Sequence, residues 1–418
     1  MPTRVQSTVR RHTGNTSLQL PLPPVTASGA DLSGDHPVFD LVPEALAELR
    51  TALDRSETHY ADVPGIAPLR ERVAELLNRQ GLSVDAEDGL IITHGEQEGR
   101  FIAVHTVARL GARVVLPSVV HPGAAKTSAI VQSPVERVPL NMTTMAPDLG
   151  ALREAVSAGG RAAVYVESPN RLTGKVIERA TVEAIADVAR AADALVIWDA
   201  SLATWVPDGT DVAMIGALPG MADRTLTLGT LWSGSGVEGW LAAYLAGPPA
   251  LFGQARSFKQ IIAICTTTPA QWGVLGAMRS GESVHRNRLR SLAKTRAEAV
   301  KRAGALAMPG DAVTIVAVRR PAGVKAGAFD GRAMPGEAFG APGILRFTVT
   351  PGGEVLRALA KLSPRRKASA AARATAKRPR PTSKPKAASK RKASKKRPAP
   401  RRRPTKSRTA KTRRGGRR

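Results

Sequence analysis

The sequence predicts an α/β fold: a mostly parallel sheet flanked by helices, with a smaller α+β domain and a disordered basic tail. Three observations carry the prediction. Short apolar runs alternate with helical patterns between about residues 89 and 231. The chain has 418 residues and is 43% hydrophobic, enough for a core of two packed domains. Its formal charge of +28 is gathered at one end.

The elements follow in order. Residues 1–37 read as an irregular arm with a Pro cluster at 20–25. The arm has Arg4, Arg10 and Arg11 and no acid in its first thirty residues, but no apolar helical face, so a disordered arm is favoured over a targeting segment. Val42–Leu53 and Leu69–Gln80 read as helices, the second with Leu69, Val73, Leu76 and Leu77 on one face and Gly81 as its stop. Strands are expected at Gly89–Thr93, Arg113–Pro117, Val135–Leu140, Ala162–Glu167, Ala194–Asp199 and Thr225–Leu231. Helices are expected between them at Glu96–Leu110, Asp148–Ala158 and Thr181–Ala192. This large α/β domain covers 38–252. Residues 253–362 form a helical connection, Gly253–Met278 (broken at Thr266–Pro269) and Ser283–Ala305, and a small domain with strands near Val313–Val318 and Ile344–Val349 and a helix at Glu354–Leu362. Residues 363–418 form the tail.

Several function classes are excluded. Cys265 is the one cysteine, so there is no disulfide framework and no thiolate metal cluster, and no metal site is expected. The longest uncharged apolar run, Gly239–Gly247, is far too short to span a membrane.

In an open parallel sheet, ligands sit beyond the carboxyl ends of the strands. The polar segments of this chain fall there. They are Ile92-Thr-His-Gly-Glu-Gln97, Glu167-Ser-Pro-Asn-Arg-Leu-Thr-Gly174, Val196-Ile-Trp-Asp-Ala200 and Thr225–Gly236, with His59–Arg70 upstream and Pro335–Gly340 and Leu345-Arg346-Phe347 downstream. In this order and spacing they resemble the class I/II aminotransferases, fold-type I pyridoxal-phosphate enzymes, over roughly Val38–Leu362. The resemblance makes 38–252 the cofactor-type domain.

The resemblance implies roles. Asp199 stands where the family has its pyridine-binding aspartate, and Asn170 matches the asparagine on the ring hydroxyl. Gly95, Glu96 and Gln97 open the phosphate-binding helix, and Thr230 takes the place of a phosphate-binding serine. Tyr60 matches a tyrosine that reaches a neighbouring subunit, which implies a homodimer. Arg346 matches the arginine that receives a substrate carboxylate, so an amino acid or other carboxylate is the implied ligand; its plain alternative is a surface strand arginine.

Other parts of the pattern are replaced. The Schiff-base lysine position is Ser233, which has no amine. A phosphate-binding arginine position is Leu241, a ring-hydroxyl tyrosine position is Leu202, and Ala200 follows Asp199. The ring-covering aromatic falls near Val119 and Val120, with His121 as the nearest side chain able to stack. Lys175 and Lys259 read as surface residues. The catalytic residue is therefore left unassigned, and pyridoxal phosphate is expected to bind non-covalently at best or to be lost.

The tail has its own chemistry. Residues 365–418 hold 25 Lys and Arg and no Asp or Glu, leaving 37 basic against 34 acidic residues in 1–364. Such a composition cannot bury enough apolar surface to order itself. It resembles the tails of linker histones and bacterial histone-like proteins. Arg365 and Arg366 follow Ser-Pro, and Lys377, Arg378 and Arg380 alternate with proline. Lys395, Lys396, Arg397 and Arg401, Arg402, Arg403 form the densest clusters. These residues are expected to meet nucleic-acid phosphates without reading sequence.

Two readings stay open. One is a catalytically impaired, aminotransferase-like protein, cytoplasmic and tethered to nucleoid or chromatin by its tail. The other is an active pyridoxal-phosphate enzyme of altered chemistry acting on an amino acid.

Overall fold

The computed structural model describes residues 26–27, 31–231, 234–279, 282–324, 332–360 and 362. Ser233 and the tail residues proposed for nucleic acid, Arg365 to Arg403 among them, lie outside the described residues.

The chain opens with a two-stranded parallel pair, β1 (Thr26–Ala27) and β2 (His36–Pro37), then α1 (Pro43–Asp54) and α2 (Ala67–Arg79). Proline in the first turn of both helices has its fixed φ and missing N–H where neither is costly. Next come β3 (Leu90–His94), α3 (Gly95–Arg109), β4 (Arg113–Pro117), α4 (Pro122–Ile130), β5 (Val135–Val138), α5 (Leu149–Ser157), β6 (Ala162–Glu167), α6 (Arg179–Ala191) and β7 (Leu195–Asp199). β8 (Thr225–Thr230), β9 (Ala242–Ala246), α7 (Pro249–Ala263), α8 (Thr268–Arg279) and α9 (Glu282–Ala303) follow. β10 (Ile315–Arg319), β11 (Met334–Pro335), β12 (Ile344–Thr348) and α10 (Glu354–Leu359) complete the order.

Seven strands form the main sheet in the order β3-β9-β8-β7-β6-β4-β5, and β9 alone runs antiparallel to its neighbours. The expected mostly parallel sheet is thus present. The apolar run 239–247 supplies the reversed strand β9, because its residues are buried from both faces. Side chains alternate along each strand. Ile197, Leu228 and Tyr165 point toward α3, α4 and α7, whereas Val196, Trp198 and Tyr244 point toward α1, α2, α5, α6 and α8. Two layers of helix therefore cover one sheet, and both cores are apolar. A separate core holds Leu32, Leu202, Trp205 and Phe347 beneath the three-stranded sheet β10-β12-β11.

The structure differs from the sequence reading in several places. α4 has no clear apolar face and was not expected; Pro122 and the His121 cap start it. The last part of the arm expected over 1–37 is built into the molecule, with Leu32, Ser33 and His36 buried. Lys259 is not at the surface. It is fully buried, with Nζ 2.9 Å from Glu98 Oε2 and 3.2 Å from Thr266 Oγ1. Lys175 is half-buried and pairs with Asp311. Among the described residues no helix is long and apolar enough to cross a membrane, and no cluster of His, Cys, Asp and Glu is suited to a metal ion.

Candidate functional site

β6 and β7 both end in an acid. Glu167 and Asp199 are register partners on adjacent parallel strands, and both are buried. Two carboxylates this close, out of water, raise each other's pKa and call for a cation. The cation comes from α3. β3 passes into α3 without a loop, and Gly95 makes that junction with φ +68°, in the left-handed region that favours glycine. Glu96 and Arg100 then share one face of the helix at i and i+4. Arg100 Nε lies 2.7 Å from Asp199 Oδ2, and its Nη2 lies 3.3 Å from Ser201 Oγ.

Asp199 is fully subscribed. Oδ2 accepts from Arg100 and from the Tyr165 hydroxyl at 2.6 Å. Oδ1 accepts from the Ser201 amide at 3.0 Å and from its hydroxyl. Burial acts to raise its pKa, but the Arg100 and Arg171 charges outweigh it and hold the carboxyl below its ordinary range. Glu167 has the opposite balance: burial and the neighbouring Asp199 charge push it up to about 7. It accepts from the His121 amide at 2.6 Å and from the Asn170 amide group at 3.2 Å.

A second group of charges adjoins the first. The arm brings Asp35 between two buried arginines. Asp35 Oδ1 lies 2.6 Å from Arg346 Nη1, and Oδ2 lies 2.8 Å from Arg171 Nη2. Arg346 Nη2 donates to the Ser33 and Gly34 carbonyls at 2.7 and 3.2 Å, and Thr348 Oγ1 donates to the Gly34 carbonyl. Glu96 takes His36 at 3.2 Å and Arg171 at 3.5 Å. Although burial opposes their charge, Asp35 and Glu96 are held below the usual carboxylate range, Asp35 by Arg171 and Arg346, Glu96 by His36 and Arg171. His121 Nδ1 caps α4 through the Gly123 amide, and burial with the Arg100 charge lowers its pKa to about 4. Apart from Glu167, whose burial favours its neutral form, three carboxylates (Asp35, Glu96, Asp199) face three guanidiniums (Arg100, Arg171, Arg346). The network is then close to neutral, which is the condition for keeping so many ionic groups from water.

The residues named from the sequence are placed as follows. Gly95, Glu96, Asp199, His121 and Arg346 belong to this network or border it. Arg346 is fully buried, so it is not a surface arginine. Gln97 is at its edge, 3.4 Å from Arg100 Nη1 and from Thr127 Oγ1. Asn170 reaches Glu167 with its amide nitrogen but not Asp199. Its Oδ1 accepts from the Leu172 and Thr173 amides at 2.9 and 3.3 Å and shapes the turn that aims Arg171 inward. Thr230 donates to the Ser201 carbonyl at 3.1 Å. Tyr60 stands at the surface, 82% exposed. Leu241 has φ +51° and its carbonyl accepts from the Gly95 amide at 2.8 Å, while Leu202 is packed in the core with Trp205. Between Gly95, Glu96, Thr230, Leu231 and Leu241 a void of about 30 Å³ remains.

Asp35, His36, Arg100, Tyr165, Glu167, Arg171 and Ser201 were missed by the sequence reading. One signal was present: two buried strands ending in acids need cations, and Arg100 is a charge at the head of the apolar run Phe101–Val104. Asp35 had no signal, because its partner Arg346 is 311 residues away.

A family model described as aminotransferase class I and II matches residues 29–362. The arginine–pyruvate transaminase AruH of Pseudomonas aeruginosa is 30% identical over 354 residues, 78% of this chain and 86% of that one. Aromatic-amino-acid aminotransferase 2 of Thermococcus litoralis is 29% identical over 251 residues, 59% of this chain; the match spans 64% of that relative's length. Among solved structures, N-succinyldiaminopimelate aminotransferase of Mycobacterium tuberculosis superposes with TM-score 0.71 at 26% identity, over 80% of this chain and 92% of that one. The aromatic aminotransferase of Pyrococcus horikoshii OT3 does so with TM-score 0.73 over 80% and 95%, and at 22% identity it speaks for the fold. On a match that runs through most of its length, this chain belongs to the class I and II aminotransferase family.

Proposed function

We propose that the protein is a catalytically silent member of the family, with its cofactor chamber filled by its own side chains and its tail tethered to nucleic acid. Members of the family use pyridoxal phosphate, which needs a carboxylate for its ring nitrogen, donors for its phosphate and an amine for its aldehyde. The residues here do not fit it. The observation that carries the reading is Asp199, whose two oxygens already accept four hydrogen bonds, about the capacity of a carboxylate. The start of α3 carries Glu96, whose negative charge repels a phosphate from the place where the helix dipole would attract it. The void beside it, about 30 Å³, has room for only a few waters, far too little for a pyridine ring and its phosphate. Arg346, matched to the substrate arginine, has its charge answered by Asp35.

The test is an absorbance titration of the full-length protein with pyridoxal phosphate. No saturable band is expected. Ser233→Lys alone is expected to give no borohydride-stable adduct, because an added amine does not release Asp199 from Arg100. A saturable band in the parent protein overturns the reading in favour of an active enzyme of altered chemistry, for which the 30% identity to an arginine–pyruvate transaminase speaks.

The nucleic-acid half of the reading rests on the 25 cations of residues 365–418. Each phosphate neutralised releases counterions, so about eight simultaneous contacts give a salt slope of roughly −7. Anisotropy with a random-sequence duplex across a salt series measures it. Equal binding by a chain lacking residues 363–418 would refute the tether. The homodimer implied through exposed Tyr60 stays part of the proposal, and a monomer in sedimentation velocity removes it.

A further inference from the structure

The sheet has a second chamber on the face opposite Asp199. Residues alternate along β7, so Ala200 turns away from the charge network toward α2 and α8. A cavity of about 370 Å³ opens there, beyond the carboxyl ends of β7 and β8. Its floor is apolar and buried, with Val73 and Leu77 of α2 and Met278 of α8. Its mouth is formed by Gln80, Thr204 and Thr210, all exposed. Among the described residues, none that lines it is charged. The volume falls within the range of small-molecule sites, more than ten times the void beside Glu96.

One polar group in the cavity is unspent. Tyr244 lines the cavity and is 7% exposed, yet its hydroxyl makes no hydrogen bond among the described residues. The hydroxyl lies over Gly229, where a built Cβ would come within 2.5 Å of it; glycine leaves the phenol that space. A phenol hydroxyl in a cavity wall without a protein partner is free to donate to a ligand. Burial and the Asp199 charge push this phenol's pKa up, so it stays protonated and able to donate.

We propose that this chamber is a binding site for an uncharged, largely apolar small molecule bearing a carbonyl oxygen, which accepts the Tyr244 hydroxyl proton in a hydrogen bond. An ion is disfavoured, since it would leave water without a counter-charge in the wall. The apolar body of the ligand lies against Val73, Leu77 and Met278, and the threonine hydroxyls at the mouth meet its outer end. The site does not use the charge network, so it stands whether or not the cofactor reading does.

The test is calorimetric titration of the full-length protein with 4-phenylbutan-2-one, with 4-phenylbutanoate as the charged control. Saturable one-to-one binding of the ketone is expected, with the carboxylate at least tenfold weaker. Tyr244→Phe keeps the shape and removes the donor, and is expected to weaken the ketone about fivefold. Leu76→Trp, from the half-buried edge of α2, is expected to fill the chamber and abolish binding, with its thermal unfolding checked against the parent. Absence of ketone binding overturns the proposal and leaves a water-filled chamber. Equal binding by the parent and both variants also overturns it, since the ketone then sits elsewhere.

Discussion

Replacing Arg100 with methionine is expected to cost about 3–5 kcal/mol of folding stability, a large share of what a protein has. Methionine keeps the unbranched stem among the apolar neighbours of α3, so little packing is lost. What disappears is the one guanidinium that hydrogen-bonds Asp199 among the described residues, at 2.7 Å and fully buried on both sides. Asp199 then keeps the Tyr165 hydroxyl and the Ser201 donors but no paired cation. Asp199→Asn alone is expected to hurt comparably, because it strands Arg100. The double variant Arg100→Met/Asp199→Asn removes both charges and is expected to recover much of the loss. Urea unfolding of the four proteins gives the coupling energy. Strictly additive losses would mean that the pair does not hold the site closed.

Asp35→Ala is the second large effect, again about 3–5 kcal/mol, and it has a chemical signature. The substitution leaves Arg346 and Arg171, both buried, around a space the size of a carboxylate. Arg346 Nε already lacks an acceptor among the described residues, so the guanidinium has donor capacity to spare. A small carboxylate is therefore expected to substitute for the lost side chain. Acetate at ten times its dissociation constant would return roughly 1.4 kcal/mol, seen as a rise in Tm for the variant and none for the parent. Chloride at the same ionic strength is the control. A variant that responds equally to both salts would show that the arginines do not form a carboxylate site once Asp35 is gone. The same experiment bears on the cofactor reading, because it asks whether the arm is what closes Arg346 to outside ligands.

Much of the scaffold was legible from local pattern. β4 and β6 fall on the expected residues, and β7 and β8 within one residue at one end. These strands are buried on both faces, so their sequences are continuous apolar runs ended by a polar residue, and such runs announce themselves. α4 was not legible, since it is short and buried on more than one side and so has no amphipathic period. The site was legible only in part. Asp199 and Arg346 were singled out because each sits in a motif of fixed spacing, and both lie in the buried charge network. Asn170 shows the limit of that method. The motif marked the turn, yet the charged side chain that leaves it is Arg171, one residue on, since Asn170 gives its Oδ1 to the turn backbone and its amide nitrogen to Glu167.

The sequence by itself determined the layered α/β body, the family and the cationic tail, because each is written in composition or in contiguous spacing. Only the tertiary structure decided what occupies the centre. Arg100 meets Asp199 across 99 residues, and Asp35 meets Arg346 across 311. Whether a buried charge is an open site or a closed one depends on which opposite charge the fold brings within about 3 Å of it. No local pattern in the chain carries that information.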